Sequence, residues 1–160
     1  GPLGAYKKAA LILGAGGAAR AVAWALLQEE WEVIYIANRN FERAEALAKE
    51  MDKRIVPVMW EEAEARLPEI TLLANTTTLG MEGYATLDID ISTLRQEALV
   101  TDVVYQPLRT PLLAAAEQKG CLTVNGLGML VHQAVPGFAA WFGKTPNPAG
   151  AEEYLVKNII

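Results

Sequence analysis

The sequence predicts an α/β fold: a doubly wound, mostly parallel sheet of about six strands with helices on both faces. Two observations predict it. Short apolar runs alternate along the chain with longer runs of helical period, the pattern of βαβ units. The first apolar run then breaks into GAGGAAR, residues 14–20, so that glycines stand between a strand and a helix. Units of this kind cross over right-handed and cover the sheet on both sides.

In chain order, Ala9–Leu13 (AALIL) reads as a strand and Gly17–Gln28 as an alanine-rich helix with Trp24 and Leu27 on one face. Glu32–Ala37 (EVIYIA) is a second strand, and Phe41–Glu50 is a helix with one charged and one apolar face. Arg54–Val58 is a third strand, placed at an edge or a strand end by Pro57. Trp60–Arg66 reads as a short helix stopped by Pro68. Thr71–Ala74 and Leu99–Val104 are the fourth and fifth strands. Pro111–Lys119 is a helix ended by Gly120, the residue type that takes the left-handed position after a last turn. Leu122–Val124 is a sixth strand, Leu127–Phe142 a long apolar helix, and Ala151–Asn158 a final helix after KTPNPAG.

Composition narrows the function classes. The chain has 160 residues, 52% hydrophobic and 21% charged, an ordinary globular mix for one domain. A net charge of −5 gives no reason to expect nucleic acid. No apolar run reaches the ~18 residues of a membrane span, and the start, GPLGAYKK, has no apolar signal segment. GPLG, residues 1–4, reads as a scar left by removal of an expression tag, which leaves residues 5–160 as the domain. The lone cysteine, Cys121, fits a reducing cytoplasm and reads as a buried apolar residue; the alternative is a reactive thiol. No His/Cys/acid cluster suggests a metal. Glu61, Glu62 and Glu64 read as a solvated face.

Ligands of such sheets bind beyond the carboxyl ends of the strands, so the loops there carry the function. Gly14, Gly16 and Ala19 fit G-x-G-x-x-A after a strand and at the start of a helix, which makes the sheet Rossmann-like. The first glycine permits the tight turn, the second lets backbone approach a pyrophosphate, and the alanine permits close helix packing. Gly14, Ala15, Gly16, Gly17 and Ala18 are therefore candidate phosphate binders. The bland alternative is a glycine turn that merely packs a helix on a sheet. An NAD site usually carries a carboxylate at the tip of the second strand. Here the tip reads ANRNFER, with Asn38, Arg39, Asn40 and Arg43 and no acid, a set suited to the 2′-phosphate of NADP. The alternative is two solvated arginines at a helix start. Three further loops stand out. NTTTLG (75–80) offers Thr77 and Thr78 to a ligand or makes a capping turn. VVYQP (103–107) places Tyr105 just beyond a strand, where it faces a substrate or closes the core. NGLGM (125–129) brings Gly126, Gly128 and Met129 toward a flat ring.

Together GAGGAAR, NRNFERA, NTTTLGM, DVVYQPLRTPLL, and NGLGMLVHQA with FAAWFG resemble the cofactor-binding domain of the shikimate dehydrogenase family, from about Lys7 to Gly143. The resemblance implies an oxidoreductase of aromatic amino-acid biosynthesis that reduces 3-dehydroshikimate to shikimate with NADPH. It implies that Gly14 to Ala18 bind pyrophosphate, and that Asn38, Arg39, Asn40 and Arg43 hold the 2′-phosphate end. Thr77 and Thr78 would line the cofactor, Val103, Gly126 and Met129 would lie near the nicotinamide, and Tyr105 and Gln133 would touch substrate. Asn40 and Thr78 depart from residues common in the family, and both remain compatible with the roles. The family's catalytic lysine and aspartate belong to a separate N-terminal domain that this chain does not match, so no catalytic residue is assigned and the chain alone is expected to be inactive. His132, one residue from Gln133, is expected on a helix surface. Trp141 and Phe142 read as core, or as a surface that the other domain covers; in the latter case the chain self-associates through Leu127–Phe142 or the last helix. The competing readings are a stand-alone, non-catalytic dinucleotide-binding module and a quinate-using paralogue.

Overall fold

Six parallel strands form one sheet in the order β3-β2-β1-β4-β5-β6, in a computed structural model that describes residues 9–145 and 147–158. The strands are β1 (Ala9–Leu13), β2 (Val33–Asn38), β3 (Ile55–Met59), β4 (Leu72–Asn75), β5 (Leu99–Asp102) and β6 (Leu122–Val124). The helices are α1 (Gly17–Gln28), α2 (Phe41–Met51), α3 (Pro111–Lys119), α4 (Leu127–Phe142) and α5 (Ala151–Asn158). The tag reading of residues 1–4 lies outside the described residues.

The central strands are covered on both sides, which is why they read as unbroken apolar runs: β1 (AALIL) and β4 (LLAN) are buried at every position. Alternate β1 residues feed two cores. Ala10 and Ile12 meet Ala19, Ala23 and Leu27 of α1 and Ala44 and Leu47 of α2. Leu11 and Leu13 meet Leu112, Leu113 and Ala116 of α3, together with Ile91, Leu94 and Ala98 from the irregular connection between β4 and β5. The buried stripe of α1 is thus mostly alanine, which lets the helix sit close on the sheet. Trp24 and Leu27 line one open cavity beside the end of α2, with Leu27 buried and Trp24 60% exposed.

β3 is an edge strand, as Pro57 requires, with Pro57 paired to Ile36. The expected helix at Trp60–Arg66 is two tighter 3₁₀ turns, Trp60–Glu62 and Glu64–Glu69, and the second runs through Pro68. A proline within such a short turn breaks little, because few backbone bonds are closed there. α3 is delimited as its sequence dictates: Thr110 accepts the Leu113 N–H at 3.3 Å, Pro111 occupies the first turn, and Gly120 adopts φ +90°.

Among the described side chains of α4, Leu127 and Val131 are buried. Trp141 and Phe142 are 81% and 64% exposed, so they are not core. α5 packs on α4, with Glu152 beside Gly128 near the start of that helix. No described helix is long and apolar enough to cross a membrane.

Candidate functional site

Because every strand runs the same way, the loops after β1, β2, β4, β5 and β6 gather along one edge of the sheet. Strand order reverses between β1 and β4, and the glycine turn opens there. Gly14 is buried at φ +106°, and its N–H donates to the Ala37 carbonyl at 2.7 Å. A Cβ at this position would come within 2.6 Å of Thr76 Oγ1, so only glycine fits. Gly16 and Gly17 are different: both are exposed, and a Cβ at either would meet nothing within 4 Å.

α1 begins with no side-chain cap and no acid in its first turn. Its first amides therefore face open space with the positive end of the helix dipole behind them. Ala15 and Ala18 are half-buried beside them. An anionic pyrophosphate fits this place, because the backbone offers uncompensated donors and no side chain fills the volume.

At the tip of β2, Asn38 Nδ2 donates to the Asn40 carbonyl at 2.8 Å and shapes the entry to α2. Arg39, Asn40 and Arg43 are exposed. The Arg39 guanidinium lies over the Trp60 ring, 5.7 Å from its centroid. Among the described residues, the Arg43 guanidinium makes no hydrogen bond or ion pair. Among the described residues, two cations without acidic partners thus stand beyond β2.

The loop after β4 is internally bonded. Thr76 Oγ1 donates to the Leu13 carbonyl at 2.6 Å. Thr77 Oγ1 donates to Asn75 Oδ1 at 2.7 Å and accepts the Leu79 N–H at 3.1 Å. The Thr77 hydroxyl proton is thereby committed within the loop, and the exposed Thr78 is the threonine left open to a ligand.

Val103, Gly126 and Met129, which the resemblance assigns to the nicotinamide end, lie near one another. They line one cavity of about 280 Å³, beside Asp102 and Asn125. Gly126 must be glycine, since a Cβ there would collide with the Val103 carbonyl oxygen. Glu152 of α5 also lines the cavity, which no local pattern could have told. Tyr105 is half-buried just beyond this wall. Gln133 lies on α4, and its side chain is outside the described residues. His132 is exposed. No group of His, Cys, Asp and Glu among the described residues could hold a metal. Cys121 is buried, and burial pushes its thiol pKa up, as suits a packed residue rather than a nucleophile.

One titratable residue at this edge escaped the sequence reading. Asp102 ends β5 at 1% exposure and accepts hydrogen bonds from Asn75 Nδ2, the Val104 N–H and Thr110 Oγ1. Burial raises its pKa, against the opposing pull of these bonds. The signal was present as an acid within an otherwise apolar strand, LVTDVV.

Comparison with known proteins gives a consistent picture. Residues 3–80 match the family model described as shikimate / quinate 5-dehydrogenase, and residues 126–153 match the shikimate 5′-dehydrogenase C-terminal domain. The shikimate dehydrogenase (NADP(+)) of Azorhizobium caulinodans is 52% identical over 97% of this chain and 56% of its own length. Among solved structures, quinate dehydrogenase from Corynebacterium glutamicum in complex with NAD superposes with a TM-score of 0.86 at 30% identity. That match covers 98% of this chain and 59% of the other. Shikimate 5-dehydrogenase from Thermus thermophilus in complex with NADP(H) and shikimate superposes at 0.78 with 38% identity, over 92% and 54% of the two chains. The chain spans about half the length of the curated relatives it matches.

Proposed function

The chain belongs to the shikimate dehydrogenase family, and from that premise we propose that it is the NADP-binding half of an enzyme that reduces 3-dehydroshikimate to shikimate. The observation that carries this reading is the uncapped start of α1, where Gly16 and Gly17 open onto empty space, with Arg39 and Arg43 standing past β2 on the same edge of the sheet. Relatives of this fold hold NAD in one case and NADP(H) in another. The fold therefore leaves the choice to local residues, and here the tip of β2 offers guanidinium groups and no carboxylate.

In this reading the first-turn amides of α1 hold the pyrophosphate, Arg39 and Arg43 clamp the 2′-phosphate, and Thr78 faces the cofactor. Val103, Gly126 and Met129 form the wall against which the flat nicotinamide lies, and Tyr105 and Gln133 reach the substrate. The reduced cofactor supplies a hydride to the substrate carbonyl carbon. The carbonyl oxygen then needs a proton from a donor within hydrogen-bond reach. The lysine and aspartate to which the family resemblance gives that work belong to another domain, so these 160 residues bind cofactor without turnover. A lone, buried cysteine accords with work in a reducing cytoplasm. Trp141 and Phe142 at the end of α4 are exposed, and a second copy of the chain pairs with α4 or α5 at high concentration. Sedimentation showing only monomer would refute that association.

Calorimetric titration with NADP and, separately, NAD tests the central reading. Tight binding of NADP and weak binding of NAD are expected. Equal affinity for the two removes the arginine clamp, and binding of neither removes the cofactor reading.

A further inference from the structure

We infer that Asp102 is a positioning residue of the cofactor site, its buried carboxylate fixing the loop after β4 and the loop after β5 against each other and against the start of α3. The inference rests on the reading of the chain as a nicotinamide-dinucleotide binder.

Three donors from three segments converge on this one side chain. Asn75 Nδ2 and the Val104 N–H reach Oδ1 at 3.1 and 3.0 Å, and Thr110 Oγ1 reaches Oδ2 at 2.8 Å. Among the described residues no lysine or arginine pairs with it, so the charge is held by dipoles alone. A buried acid without a cation is costly, and an apolar residue would serve the core better. What a carboxylate provides is acceptors only, which is what three inward-pointing donors require.

The bonds continue outward from Asp102. The Asn75 carbonyl accepts the Val103 N–H at 3.0 Å, and Asn75 Nδ2 also donates to the Leu79 carbonyl at 3.0 Å. Asn75 Oδ1 takes both the amide and the hydroxyl of Thr77. One end of the network is therefore Val103, which lines the nicotinamide-side cavity and sits against Gly126. The other end is the threonine pair packed against Gly14, since a Cβ on Gly14 would meet Thr76 Oγ1 at 2.6 Å and Thr77 Cγ2 at 3.2 Å. A single buried group thus couples the pyrophosphate turn to the nicotinamide wall. Arg39 and Arg43 lie outside the network, across the sheet beyond β2.

That geometry yields a split that a purely structural role would not. The variant Asp102→Asn is titrated with NADP and with adenosine 2′-monophosphate, which carries the adenosine and 2′-phosphate but neither the pyrophosphate nor the nicotinamide. NADP affinity is expected to fall about tenfold or more, the worth of one disturbed charged hydrogen bond, while the monophosphate binds as it does to the wild type. Amide exchange in the free protein should accelerate at Thr77, Leu79, Val103 and Val104 and stay unchanged along β1. If Asp102→Asn does not fold, Thr110→Val carries the test with the same expected split, and Thr110→Ser should restore NADP binding. Equal loss of both ligands, or no loss of either, overturns the inference. A wild-type chain that binds neither ligand overturns the cofactor reading itself, and the inference falls with it.

Discussion

Arg39 and Trp60 stack where two adjacent parallel strands end. Asn38 and Met59 are paired in register between β2 and β3, so the next residue of each strand emerges beside the other. The guanidinium then lies over the indole, 5.7 Å from its centroid. A planar cation held this way keeps its hydrogen-bonding edge free while losing much of its rotamer freedom. Trp60→Leu is therefore expected to weaken NADP binding about two- to fivefold, the worth of an exposed cation–π contact, and to leave NAD unchanged. Paired titrations of both cofactors check it; an equal change for both would mean that Trp60 acts on the fold rather than on the arginine.

The arginines themselves carry a larger share. In Arg39→Ala with Arg43→Ala, NADP affinity should fall by about 2–4 kcal/mol, the range for losing charged hydrogen bonds to the phosphate. NAD, which lacks the 2′-phosphate, should bind nearly as before. Both side chains are exposed, so the thermal midpoint of the free protein should hardly move. A double variant that discriminates NADP from NAD as the parent does would place the 2′-phosphate elsewhere.

These two predictions mark what the sequence could and could not tell. Arg39 and Arg43 were legible because the absence of an acid at a strand tip is a local fact. Trp60 was not, because its partner comes from another strand and only the β2–β3 register brings them together. The strands and most helices were legible from apolar periodicity, and Pro57 announced the edge. The exposure of Trp24 and Trp141 was hidden, since periodicity shows which residues share a face but not whether a neighbour exists to cover it. Asp102 stood within a motif plainly visible in the sequence, yet its bonds to Asn75 and Thr110 span separations of 27 and 8 residues. The β5 strand ends at that residue rather than at Val104, because Val104 turns its N–H onto the carboxylate instead of the ladder.

The ion pair of Asp52 and Arg54 gives a pH signature of the fold. Asp52, just past α2, accepts from Arg54 Nε at 3.0 Å and Nη2 at 3.1 Å, and from the Arg54 N–H at 2.8 Å. These bonds lower its pKa from 3.8 to about 2. A carboxylate whose pKa is depressed on folding adds stability above its unfolded value, and loses it as pH falls through the folded one. The thermal midpoint of the parent should therefore exceed that of Asp52→Asn by a constant margin above about pH 5, and the two should converge as pH falls toward 2. Melting curves across that range check it, and a margin that persists at pH 2 would assign the effect to packing.

Gly14 and Gly16 of the turn should fail in opposite ways. Gly14 has φ +106°, and its missing Cβ would sit 2.6 Å from a hydroxyl that is itself bonded to Leu13. Gly14→Ala must strain the backbone and displace Thr76, so the free protein should lose about 1–3 kcal/mol. Gly16 has φ −95°, which any residue adopts, and its missing Cβ would meet nothing within 4 Å. Gly16→Ala should cost the free fold less than about 1 kcal/mol, the scale of a change at a helix N-cap. The same methyl would occupy the space into which the first-turn amides of α1 point, so NADP affinity should fall about tenfold or more through lost phosphate contacts. Melting curves read the first effect and titration the second. If Gly16→Ala binds NADP as the parent does, no phosphate approaches the backbone there, and the glycines serve only to turn the chain.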